Sequence, residues 1–179
     1  MSVAIEALAL VKDQQLDSKV HFIHAGGYDP QNPENVSHFE ELQSLAARLN
    51  LVEGPEGDYQ FIRDLSNEDK VFLLQKSDVN LYTPIGEHFG IVPLEAMAAG
   101  TPVIAMASGG PLETVKPDFT GFLIQEPFGK IEMAKAIEKF VVNPDLCKQL
   151  GKNGPSHVDD LFSFKAFSEK LDKIVQDLQ

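Results

Sequence analysis

Two carboxylates, Glu87 and Glu95, stand on either side of a segment that has the pattern of a helix start. Phe89 and Gly90 precede the predicted helix, and Pro93 fits its first turn, where a missing N–H costs nothing. The unpaired N–H groups and the positive dipole end of a helix start attract anions. The carboxylates would repel a bare phosphate and prefer hydroxyl groups. The segment therefore predicts a ligand that joins an anion to hydroxyls, as a sugar nucleotide does.

The composition narrows the choice of ligand and partner. The chain has 179 residues, 43% of them hydrophobic, and a net charge of −12. Such a charge argues against a nucleic-acid partner and against docking on anionic lipid, since both require basic surfaces. No stretch approaches the roughly 18 apolar residues of a membrane span, so we expect a soluble chain. Cys147 is the single cysteine, which indicates a reducing compartment.

The histidines and aspartates give no pattern of metal ligands. His21 and His24 fall on opposite faces of one predicted strand, because side chains alternate along a strand. No Asp-x-Asp pair, the usual carboxylate pair of metal-dependent nucleotide-sugar enzymes, occurs in the sequence. We therefore expect a metal-independent site, in which a helix dipole and basic side chains offset the charge of a leaving pyrophosphate.

Strand and helix patterns alternate along the chain, which predicts an α/β fold with right-handed connections and a parallel sheet. In the helix that begins at Ser66, we expect Val71, Phe72 and Leu74 to point inward. In the last helix, Phe164, Phe167, Leu171 and Ile174 align. The predicted strands are 19–25, 59–63, 79–83, 102–107 and 121–124; the other predicted helices are 3–12, 35–50, 91–99, a short one ending near 115, 129–142, 144–151 and 163–178.

Ligands of such sheets bind beyond the carboxyl ends of the strands. Three turns lie there: Gly26-Gly27, the segment from Glu87 to Gly90, and Gly109-Gly110. We expect them to share one rim. Each glycine pair has two interpretations, contact with a ligand or a plain turn.

Several segments carry a resemblance to a known family. With its Glu-x7-Glu frame, the chain resembles the C-terminal half of the retaining glycosyltransferases of family 4, which have the GT-B architecture of two Rossmann-like domains. The resemblance implies a three-layer parallel sheet over residues 1–179 that binds the donor, with the N-terminal acceptor domain absent. It is nearest to mannosyltransferases of N-glycan assembly. The segments that carry it are 25–30, 34–36, 41–43, 87–97 and 108–113.

The resemblance also implies a role for each residue of the frame. Glu87 would act in catalysis and hydrogen-bond hydroxyls of the donor sugar, and Glu95 would accept from the ribose hydroxyls. The amides around Phe89, Gly90 and Ile91 would face the sugar and the pyrophosphate. His88 either touches the donor or fills the loop.

Other residues belong to the predicted site with less support from the resemblance. Arg63 would approach the base or the phosphates, or else pair with Asp64 or Glu68 on the surface. Gly26, Gly27, Gly109 and Gly110 complete the predicted rim.

The donor implied by the resemblance is GDP-mannose, and the acceptor is a lipid-linked oligosaccharide held by the absent domain, on the cytosolic face of the endoplasmic reticulum. Family members carry an Arg and a Lys just before the first helix of this domain. The sequence reads as beginning within that helix, so we expect an inactive fragment. The alternatives are a family member that uses a UDP-sugar and a non-catalytic sugar-nucleotide-binding module. A nicotinamide-dependent oxidoreductase is disfavoured, because no Gly-x-Gly-x-x-Gly follows a strand.

Overall fold

The computed structural model describes residues 2–14 and 19–178. Strands and helices alternate from residue 2 to residue 142, as predicted, and three further helices follow. The strands are β1 Phe22–Gly26, β2 Tyr59–Arg63, β3 Asn80–Tyr82, β4 Val103–Met106 and β5 Gly121–Ile124. The helices are α1 Ser2–Asp13, α2 Pro33–Arg48, α3 Asn67–Lys76, α4 Ile91–Ala98, α5 Pro111–Thr114, α6 Gly129–Val142, α7 Asp145–Gly151, α8 Gly154–Phe162 and α9 Phe164–Asp177.

All described strand pairs are parallel, which confirms the predicted class, but the pairing is interrupted. Strand β1 pairs with β2, and β3, β4 and β5 form a second ladder in that order. Among residues 2–14 and 19–178, no strand lies hydrogen-bonded between β1 and β3. The parallel sheet that we expected is therefore divided into two sheets in the described part of the chain.

Helices cover both faces of these sheets, so the architecture has three layers. Along β4, Ile104 and Met106 pack in a core with α1 and α6, whereas Val103 and Ala105 pack in a second core with α4. The alternation follows from the two-residue period of a strand. A third core joins the other side of α1 to α2, β1 and β2. Helix α1 thus packs against both sheets.

Helix α3 begins as predicted but buries a different face. Ser66 caps it by accepting a hydrogen bond from the Asp69 amide at 3.0 Å. Leu74 is buried, but Val71 and Phe72 are 46% and 62% exposed, so that part of the prediction was wrong. The inward stripe instead follows the helical spacing through Lys70, Leu73, Leu74 and Ser77.

Two other helices differ from expectation. Helix α2 begins at Pro33 rather than at residue 35, because the Asn32 side chain accepts from the Glu34 amide at 2.9 Å. Helix α8 was not predicted. Gly154 opens it, and a Cβ atom on Gly154 would overlap the backbone of Met97, which shows how closely α8 approaches α4.

The apolar residues Phe164, Phe167, Leu171 and Ile174 of α9 are all exposed, although they align as the sequence predicted. Among the described helices, none is both long enough and apolar enough to cross a bilayer.

Candidate functional site

The loop between β3 and α4 is held in place by the turn that follows β4. The Gly110 amide donates to the carbonyl oxygen of Glu87 at 2.8 Å. The Gly86 amide donates to Ser108 Oγ at 2.9 Å. A Cβ atom on Gly109 would overlap the backbone of Glu87, and one on Gly110 would overlap that of Phe89. Close packing of two backbones is therefore a reason for both glycines, and Gly109 also has a φ of +61°, which favours glycine.

Tyr82, at the end of β3, forms the base of this loop. Its ring is buried, and its hydroxyl lies so near Gly90 that a Cβ atom there would be only 2.6 Å from the oxygen. Gly90 also has a φ of +71°, which favours glycine. Burial raises the pKa of Tyr82, and the charge of Glu87 adds to the increase. Tyr82 was not among the predicted site residues, although an aromatic side chain at the carboxyl end of a strand is a recognisable signal.

Helix α4 begins at this loop with its first amides available. Gly90 is the N-cap and offers no side chain to satisfy them. Ile91 and Val92 are 62% and 38% exposed, so the helix start faces solvent. Pro93 lies in the first turn, and Gly100, with a φ of +85°, follows the last turn, both as predicted. The unpaired N–H groups at this end form a favourable place for an anion.

Glu95 lies on α4 just beyond this start and has a partner that the sequence analysis did not find. Its Oε1 atom lies 2.7 Å from Lys70 Nζ of helix α3. The two side chains are 29% and 39% exposed, respectively. Glu95 is thus ion-paired rather than freely solvated. Glu87 is exposed on the loop, and His88 is exposed beside it.

A separate cavity of about 550 Å³ opens at the carboxyl ends of β1 and β2. Gly26, Gly27 and Arg63 line it together with residues of α2. The Arg63 guanidinium lies over the rings of Tyr28 and Phe39, at 4.7 and 5.1 Å from their centroids. Stacking on two aromatic rings, rather than pairing with Asp64 or Glu68, therefore positions this cation.

The predicted site residues thus fall into two groups. The first group lies around the loop before α4, next to the β3–β4–β5 sheet, and consists of Glu87, His88, Phe89, Gly90, Ile91, Glu95, Gly109 and Gly110. Gly26, Gly27 and Arg63 lie at the ends of the other sheet. Throughout the described ranges, no three acidic, histidine or cysteine side chains are grouped as a metal site would need.

Comparison with known proteins places this arrangement in a family. Residues 1–157 match the glycosyl transferases of group 1. The chain belongs to this family. It is 41% identical over 182 residues to the alpha-1,3/1,6-mannosyltransferase ALG2 of Homo sapiens, with 99% of the chain and 42% of that protein aligned. The Saccharomyces cerevisiae protein of the same name is 35% identical over 208 residues, with 98% of the chain and 40% of that protein aligned.

Solved structures show the same fold. Sucrose-phosphate synthase from Thermosynechococcus elongatus superimposes with a TM-score of 0.75 at 29% identity, over 97% of this chain and 42% of that one. Anabaena HepE in complex with UDP gives a TM-score of 0.79 at 23% identity, over 98% and 44%. These matches establish the α/β fold of a glycosyltransferase half. The chain spans about 42% of the length of its human relative.

Proposed function

We propose that this chain is the C-terminal, donor-binding domain of a retaining mannosyltransferase that uses GDP-mannose. The observation that carries the proposal is the clamped loop, the β3–α4 connection held by the turn after β4, which fixes the backbone of Glu87 just before the exposed start of α4, with Glu95 beyond it on the helix. The relatives' name, alpha-1,3/1,6-mannosyltransferase, supports mannose as the sugar. The acceptor is a lipid-linked oligosaccharide, bound by an N-terminal domain at the cytosolic face of the endoplasmic reticulum.

Each part of the site then has a separate task. The Glu87 carboxylate accepts hydrogen bonds from hydroxyls of the donor sugar and stabilises charge that develops at the reacting sugar. The amides at the start of α4 hold the pyrophosphate through N–H groups and the helix dipole. The ribose hydroxyls donate to Glu95. Because the net charge is −12, these local donors act against the overall field of the protein.

The identity of the base is the main alternative within this proposal. A structural relative was solved with UDP, and the cavity lined by Gly26, Gly27 and Arg63 offers stacking and backbone contacts that suit any base. We take guanine as the base, since the relatives are named as mannosyltransferases. A family member specific for a UDP-sugar, or a binding module without catalysis, would keep the same carboxylate frame.

Nucleotide titration tests the proposal directly. We expect the chain to bind GDP and GDP-mannose more tightly than UDP or UDP-glucose in isothermal calorimetry. A buried charge-assisted hydrogen bond contributes about 1.5–3 kcal/mol, so Glu95→Ala should weaken GDP binding roughly 10- to 100-fold.

Glu87→Ala should weaken GDP-mannose more than GDP, because its contacts are to the sugar. Asp172→Ala, which removes an exposed carboxylate from α9, is the control and should bind like the wild type. Preference for UDP would refute the mannose donor, and unchanged binding in both glutamate variants would refute the site.

A further inference from the structure

Lys70 occupies an unusual place for a lysine. It lies on the inward stripe of α3, between the capped start of the helix and the buried Leu74. Its ammonium group reaches across to α4 and contacts Glu95 Oε1 at 2.7 Å. Since the partners lie on different helices and both are partly buried, the contact fixes the side chains relative to the site.

The contact also decides which way Glu95 points. Glu95 is the fifth residue of α4, and the side chains of a helix lean toward its N-terminus. In that position its carboxylate would lie near the α4 amides and repel an anion there. Lys70 holds the carboxylate toward α3 through Oε1. The other oxygen, Oε2, keeps its lone pairs for further donors.

The positive charge of Lys70 also favours anion binding at the start of α4. Lys70 neutralises Glu95, so the side of the anion site carries no uncompensated negative charge from this residue. Without the ammonium group, the carboxylate would add repulsion to a molecule whose net charge is already −12.

We propose that Lys70 is a positioning residue that sets ribose specificity: it holds Glu95 Oε1, presents Oε2 to the ribose hydroxyls, and keeps the α4 amides free for the diphosphate. This inference rests on the proposed function. Lys70 and Glu95 together recognise the ribose, and only Glu95 contacts it.

The test compares GDP with 2′,3′-dideoxy-GDP, which lacks both hydroxyls. In Lys70→Met we expect GDP binding to weaken about three- to five-fold, the range of a partly exposed ion pair. The ratio of the GDP affinity to the dideoxy affinity should fall as well. Lys70→Arg should restore most of that ratio, because it keeps the cation. Lys76→Met removes the same charge from the last turn of α3, where Lys76 lies near Phe72, and should leave the ratio unchanged.

A double-mutant cycle separates the explanations. In a Glu95→Gln background, Lys70→Met should have no further effect on the affinity for either nucleotide, since Lys70 acts through Glu95. An equal loss for both nucleotides in that background would overturn the inference and indicate that Lys70 contacts the anion or supports the fold. If wild-type chain binds GDP but does not distinguish it from the dideoxy form, the ribose role fails. If wild type binds neither nucleotide, the proposed function itself fails.

Discussion

At the scale of single residues, the site depends on where a side chain is missing. Gly109 and Gly110 have no Cβ atoms, and so the turn after β4 can lie directly against the loop of Glu87 and Phe89. The contact fixes the backbone carbonyl of Glu87 through the Gly110 amide. The backbone position of a predicted catalytic residue is thus set by a different part of the chain.

The substitution Gly110→Ala tests this dependence. Gly110 has a helical φ of −52°, and at such a position alanine normally stabilises by about 0.4–1 kcal/mol. Here the added Cβ would overlap the Phe89 backbone, so we expect destabilisation of about 1–3 kcal/mol. Urea unfolding measures the change. Gly27→Ala, whose Cβ would meet nothing within 4 Å, is the control. A stabilised Gly110→Ala protein would show that the two backbones do not pack.

His24 predicts a dependence of stability on pH. Burial lowers the pKa of His24 below its ordinary value of 6.5 in the folded chain. The unfolded chain therefore takes up a proton first as the pH falls. The free energy of unfolding should decrease below about pH 6.5 and be unaffected by this group above it. His24→Leu should flatten the decrease in urea titrations between pH 7.5 and 5. An identical slope in the variant would contradict the prediction.

At the scale of elements, the sequence predicted the strands and helices well but not which faces they bury. The cap at Ser66 could be predicted because it involves only residues close in sequence. That α3 turns Lys70 rather than Val71 toward α4 depends on where α4 lies, and no local pattern contains that information. Helix α8 was hidden because it opens with Gly154 and Pro155, residues that usually indicate a turn. The two groups of site residues could be predicted separately, but the contact of Lys70 with Glu95 needed the packing of helices.

The edges of the strands predict a pattern of hydrogen exchange. The Asn80 amide donates to Pro102, toward β4, and the Phe22 amide donates to Asp58, toward β2. Because alternate amides of a strand point to opposite sides, those of Leu81, Ile23 and Ala25 point away from their described partners. They should exchange faster than the amides of Tyr82 and His24 in an NMR measurement. Strong protection at Leu81 would mean that another group pairs with this edge.

At the scale of the whole molecule, the two sheets are held side by side by packing. Helix α1 contributes to the core on both sides, with Ala7 in one cluster and Leu8 in another. Arg63 and its cavity belong to the first sheet, whereas the clamped loop belongs to the second. The distance between the two halves of the proposed site is therefore set by apolar contacts.

The division of the described strands into two sheets has a mechanical consequence. Packed apolar surfaces can slide over each other in small steps, whereas a continuous ladder of hydrogen bonds resists such sliding. In the described part of the chain, moving the β1–β2 pair past the β3–β4–β5 ladder would break no bond between neighbouring strands. A nucleotide that contacted Arg63 at one end and the α4 amides at the other would bridge the two sheets. Its binding would then restrict the sliding of one sheet past the other, which no backbone hydrogen bond between described strands does.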